Sequence, residues 1–153
     1  MEKSEEKEGV WSAVLAACEQ RVQSASERLE SLQSDLESEG KSTAGDKHET
    51  GRAMIQLEME SAVTALNASM RLRAALESRE PAHGEVVRWG SWFGTESGSF
   101  LVCVALGAIE TPAGRVHAIS EESPMAAAAL HAQARAGESI EVNGRAHRVL
   151  FVA

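Results

Sequence analysis

Apolar residues recur along the first half of the chain with the period of a helix seam. Trp11, Leu15, Cys18, Val22, Ala25, Leu29, Leu32 and Leu36 follow one another at alternating spacings of four and three, the a/d pattern by which two helices interlock. Glu, Gln, Arg, Ser and Asp fill the positions between them, as a solvated face requires. The pattern predicts a helix from about residue 10 to 38, roughly 40 Å long at ~1.5 Å per residue, stopped by Gly40. A second seam of Ile55, Met59, Ala62, Leu66 and Met70, widened by Val63 and Leu76, predicts a helix from near Asp46 to about Arg79, closed by Pro81. Two seams of similar length joined by a short polar turn fold back on each other as an antiparallel coiled-coil hairpin over 10–80, with its tip at 40–51. A parallel homodimer of one helix is the competing arrangement. Residues 1–9, "MEKSEEKEG", are charged and are expected to be a frayed, disordered start.

After "EPAHGE" the period changes. "EVVRWGSWFG", "SFLVCVALGAIET", "GRVHAIS", "ESIEVNG" and "AHRVLFV" are short and rich in Val and Ile, with Gly, Pro, Ser and Asn between them, and read as strands. "NGR" at 143–145 is a hairpin turn signal. "SPMAAAALHAQARAG" reads as one helix, capped by Ser123, with Pro124 in its first turn and Gly137 at its end. The expected fold class is therefore α+β: the helical hairpin, then a domain over 84–153 in which a small antiparallel sheet packs against one helix. A domain of about 70 residues is marginal alone, and packing against the base of the hairpin would help it. Trp89, Trp92 and Phe93 are expected in the core or between the domains.

Composition narrows the function classes. The chain has 153 residues, a net charge of −8 and only 4% aromatic residues. An acidic chain gains nothing from counterion release on duplex DNA, and base stacking would ask for more aromatic side chains. Direct duplex DNA binding is not expected; a basic protein partner, or a basic channel within one, suits the charge better. Cys18 and Cys103 sit in apolar surroundings and form no CxxC pair, so they read as small core residues rather than as a zinc or redox site. No leader and no membrane-length apolar run is visible, which points to a cytoplasmic protein, expected as a monomer. Ser, His and Asp are all present, but nothing resembles a nucleophile elbow, and the glycines form no phosphate loop.

The turn "STAGDKHETG" carries two acids three residues apart, Asp46 and Glu49. Asp-x-x-Glu suits the start of a helix, because an Asp cap with Glu at the third position satisfies free N–H groups and faces the positive end of the helix dipole. The same pair suits a hard divalent cation. Lys41, Lys47 and Arg52 surround it and would contact RNA phosphates or a partner, or serve as solubilising charges. His48 reads as an exposed turn residue more readily than as a proton relay.

These motifs together resemble the Gre family of transcript cleavage factors. Gly45-Asp46-x-x-Glu49 has the spacing of that family's coiled-coil tip. "AISEESPMAAAAL" (118–130) is similar to its Ile-Ser-x-x-Ser-Pro-Ile stretch, and "AGESIEVNGRAHRV" (136–149) to its closing strand and hairpin. The resemblance implies an FKBP-like second domain and RNA polymerase as partner. It implies docking through Ser120, Ser123 and Pro124, and a coiled coil inserted into the secondary channel. Asp46 and Glu49 would act there as the catalytic pair, holding Mg²⁺ shared with the polymerase active site and stimulating cleavage of the backtracked RNA 3′ end. The protein would have no complete active site of its own. After Glu49 the chain departs from the family, with Thr50, Gly51 and Arg52 in place of Asn and an aromatic. That departure supports the second reading, a non-cleaving regulator of the same channel. A coiled-coil interaction protein unrelated to transcription is the third reading; the scarcity of aromatics argues against an isomerase pocket for proline.

Overall fold

The computed structural model describes residues 2–40 and 46–153. Two long helices, α1 (Glu2–Gly40) and α2 (Asp46–Glu77), are followed by β1 (Trp92–Thr95), β2 (Gly98–Cys103), β3 (Gly107–Thr111), β4 (Gly114–Ser120), α3 (Pro124–His131), β5 (Ser139–Val142) and β6 (Arg145–Val152). The architecture is α+β, as the change of period indicates. The chain divides into two compact units, Cys18–Arg73 and the remainder, in which the chain up to Ala17 joins Ala74–Ala153.

In the Cys18–Arg73 unit the two helices lie side by side and antiparallel. Arg73 donates to Glu19 at 3.1 Å, Leu36 and Met59 line one groove, and a Cβ built on Gly51 would lie 2.6 Å from Glu39 Oε1. Cys18, Val22, Leu32 and Ala62 are buried, and Ala25, Leu29, Leu36, Ile55, Met59 and Leu66 are half-buried, so the seam holds over this stretch. Val63 and Met70 do not belong to it and are exposed. Both sit on the outer flank of the stripe, about 60–80° from Ile55 at ~100° per residue; the half-buried Ser69 takes the turn that Met70 would have filled.

Closer to its start α1 departs from the expected register. Lys7, Val10 and Val14 are buried, whereas Leu15 is 37% exposed and Trp11 is half-buried. Nor is the start frayed: the helix begins at Glu2. The cause is tertiary. Lys7 Nζ donates to the Ala82 carbonyl, the Lys3 ammonium stands 5.2 Å from the Trp92 ring centre and 4.5 Å from that of Phe151, and Trp11 meets Trp89 edge-on at 5.8 Å. An aromatic face thus attracts cations that would otherwise fray into water.

The sheet order is β3-β4-β2-β1-β6-β5. Four of its pairings are antiparallel; β2 and β4 run parallel, which corrects the expected all-antiparallel sheet. "SFLVCVALGAIET" is not one strand. It breaks at 104–106, where Leu106 N–H closes a tight turn on the Val104 carbonyl and Gly107 takes φ 78°. Strand β3 is thereby placed outside β4, and β4 returns beside β2 in parallel. The front of "EVVRWGSWFG" is not strand either; pairing begins at Trp92. The Asn143-Gly144 turn is as read, with φ of 52° and 80°, the left-handed pair a tight two-residue hairpin needs.

Side chains alternate across the sheet. Phe93, Val102 and Val149 join Val87, Ala126, Ala129, Ala134 and Ile140 in the main core under α3, while Trp92 faces the other way, against Phe151 at 4.7 Å. Helix α3 ends at His131, earlier than Gly137. Gln133, with φ 48°, already stands in the left-handed conformation that terminates helices, and Ala134 N–H reaches back to the Ala129 carbonyl.

Burial lowers the Lys7 pKa from its ordinary 10.5 to about 8. Between those values the unfolded chain holds a proton that the folded chain has lost, so stability rises with pH across that window; below about pH 8 the fold carries the cost of a confined ammonium. Denaturant unfolding compared at pH 7.5 and pH 10 should show wild type gaining on Lys7→Met by up to about 1.4 kcal/mol per pH unit. Parallel curves for the two proteins would show that Lys7 is not confined.

Candidate functional site

The closed end of the hairpin is built from the last turn of α1 and the first turns of α2. Helix α2 begins at Asp46, where the acidic start was read, and positions 46 and 49 are one turn apart on it, a spacing that puts them on one helix face. Glu49 is exposed. Lys41 lies outside the described residues, as do the side chains of Asp46, Lys47 and His48 and the residues that would decide whether Asp46 caps the helix. Arg52 is half-buried on the next turn.

Glu39 is an acid that reading along the chain does not single out. Its carboxylate lies against α2 at Gly51, where a Cβ would meet Oε1 at 2.6 Å. No local pattern marks it, because only antiparallel pairing of the helices brings 39 beside 51. The same contact gives Gly51 a packing role, because its missing side chain admits Glu39. A flexible carboxylate can move aside, so that constraint is modest.

Two carboxylates on the first turn of a helix suit Mg²⁺, which takes oxygen donors and is usually held by one or two carboxylates with waters and phosphate oxygens. Among the described residues no three His, Cys, Asp or Glu side chains cluster as metal ligands.

Ser120, Ser123 and Pro124 gather where β4 turns into α3. The Ser123 side chain accepts from Ala126 N–H at 3.3 Å, Ser123 N–H donates to the Ser120 carbonyl at 3.1 Å, and Pro124 occupies the first helical position. Ser123 is thus the cap that was read. Ser123→Ala should cost about 1 kcal/mol of unfolding stability, measurable in urea, and a loss under a few tenths would remove the cap from the account. Pro124 is exposed and both serines are half-buried, leaving a surface here that a partner can reach.

Among the described residues no helix is long and apolar enough to cross a membrane. No protein-family model matches the chain. No curated protein matches it in sequence. Among solved structures the chain is similar to that of the transcription factor Gfh1, with 23% identity over 92% of this chain and 93% of that chain and a TM-score of 0.37.

Proposed function

We propose that the chain is an RNA polymerase factor of the Gre type, which docks through the Ser120–Ser123–Pro124 surface and presents Asp46 and Glu49 at the closed end of its helical hairpin. The observation that carries this reading is the pairing of the two helices side by side, with Glu49 exposed on the first turn of α2. Such a hairpin is slender enough to enter a pore, and its described portion from Cys18 to Gly40 is roughly 30 Å long at ~1.5 Å per residue. The order of the motifs along the chain and its acidic charge also support the reading.

In this account the polymerase supplies the catalytic pore and most of the coordination shell. Mg²⁺, when bound, supplies Lewis acidity for phosphodiester hydrolysis. Asp46 contributes a direct carboxylate ligand, and Glu49 orients the shell or its water. Lys41, Lys47 and Arg52 contact phosphates of the RNA 3′ end. Docking and tip chemistry are separate functions of separate residues.

The test is a backtracked polymerase complex carrying labelled RNA. Addition of the protein should give Mg²⁺-dependent trimming of the 3′ end. Binding with inhibition and no trimming would replace this reading with the non-cleaving regulator. Failure to associate with polymerase at all would end both.

A further inference from the structure

A concave site of about 450 Å³ lies in the unit that carries the sheet, lined among others by Arg79, Arg88, Trp89, Glu121, Gln133 and Arg135. The chain as a whole carries a charge of −8, yet three arginines line this site with one carboxylate, Glu121, and a second, Glu85, pairs with Arg135 at its edge. A smaller recess of about 220 Å³ shares Arg88 and Arg135 with it and adds His83 and Glu85.

Arg79 is oriented from two sides. It donates to Glu121 at 3.2 Å and stands 5.0 Å from the centre of the Trp89 ring. The indole is held in turn by its N–H, which donates to the Cys103 carbonyl at 3.2 Å. Arg135 reaches Glu85 at 3.3 Å. Arg88 is exposed, and among the described residues no carboxylate pairs with it. Both ion pairs that engage the other two arginines are solvent-exposed, and such pairs are weak and readily exchanged.

Gln133 adds an independent sign. It holds φ 48° just beyond the Ala132 C-cap of α3, where glycine is the usual occupant because it has no Cβ to strain. A residue kept in that conformation despite its cost directs attention to what its side chain serves, and Gln133 lines this site.

The geometry points to a binding site for a phosphate group, free or as a small phosphomonoester. Guanidinium forks match phosphate oxygens in bidentate fashion, and Gln133 offers an amide donor. The volume is within the range of small-ligand sites and leaves room for a polar carrier beyond the phosphate itself. The site does not depend on the polymerase reading, and its test needs no polymerase.

The full chain is titrated with inorganic phosphate and with glycerol phosphate, at constant ionic strength, with glycerol and sodium chloride as controls. Thermal unfolding and ³¹P line width are followed. Both phosphates should bind saturably, and Arg88→Ala should weaken binding at least tenfold without changing the melting temperature of the free protein. Arg88→Lys should fall between the two, since a point charge replaces a fork. Arg148→Ala, outside the site, should titrate as wild type. Gln133→Gly should melt higher when free and bind more weakly. Tighter binding of glycerol phosphate identifies a phosphomonoester site; equal binding identifies free phosphate as sufficient. Absence of saturation with either probe, or an Arg88→Ala titration that overlays wild type, overturns the proposal.

Discussion

Asp46→Asn should remove Mg²⁺-dependent 3′ trimming of backtracked RNA by at least one to two orders of magnitude, while the protein still binds polymerase. Even partners that only support a metal's ligands cost about 10–100-fold when mutated, and a direct ligand should cost no less. Asn keeps the size of the side chain and remains a good helix cap, so loss of helix stability cannot mimic the result. Glu49→Gln should lose less, because an orienting group leaves the direct ligand in place. Raising Mg²⁺ should recover part of the Glu49→Gln activity and little of the Asp46→Asn activity. If both variants trim like wild type, the tip acids are only the start of a helix, and the shared-metal account fails.

Gly90→Ala should be the most damaging single substitution of a small residue in the sheet-bearing unit, at about 2–5 kcal/mol. Two terms combine. Gly90 has φ 89°, a conformation that costs an L-residue roughly 1–2 kcal/mol. Its Cβ would also lie 2.4 Å from Pro81 Cα and 2.6 Å from Ala82 N, and these are backbone atoms that cannot rotate away; overpacking of this kind costs about 1–3 kcal/mol. The segment is pinned in place, since Ala82 N–H donates to the Trp89 carbonyl and Gly90 N–H to the Val102 carbonyl. Gly144→Ala is the control. Gly144 also has positive φ but nothing within 4 Å of a Cβ, so only the conformational cost applies. Urea unfolding of the two variants gives the comparison, and equal losses would show that the close approach at Pro81 does not constrain the fold.

The Asn143-Gly144 turn and the Ser123-Pro124 helix start were legible because each is written in adjacent residues with one dominant conformation. The seam from Cys18 to Leu36 was legible for a related reason: its period is local even though its partner is distant. The register before Cys18 was not. Trp11 and Leu15 look more apolar than Lys7, but their burial depends on which face of α1 meets Ala82, Trp89 and Trp92. The parallel β2–β4 pairing was missed because an apolar run carries no mark of where its backbone turns. At the tip, Asp46 and Glu49 stand out by spacing, whereas Glu39 enters only through the antiparallel pairing.

By itself, the sequence determined the succession of two seamed helices, short strands and one capped helix, along with the acidic pair at the start of α2. Those features depend on side-chain period and on backbone preferences within a few residues. Tertiary structure decided that the first turns of α1 are helix rather than a loose end, that Lys7 is buried with its ammonium on a carbonyl, and that Arg79, Arg88 and Arg135 converge from three separate segments. Convergence of that kind has no sequence signature, because residues up to 56 positions apart are brought together only when the sheet closes over its core.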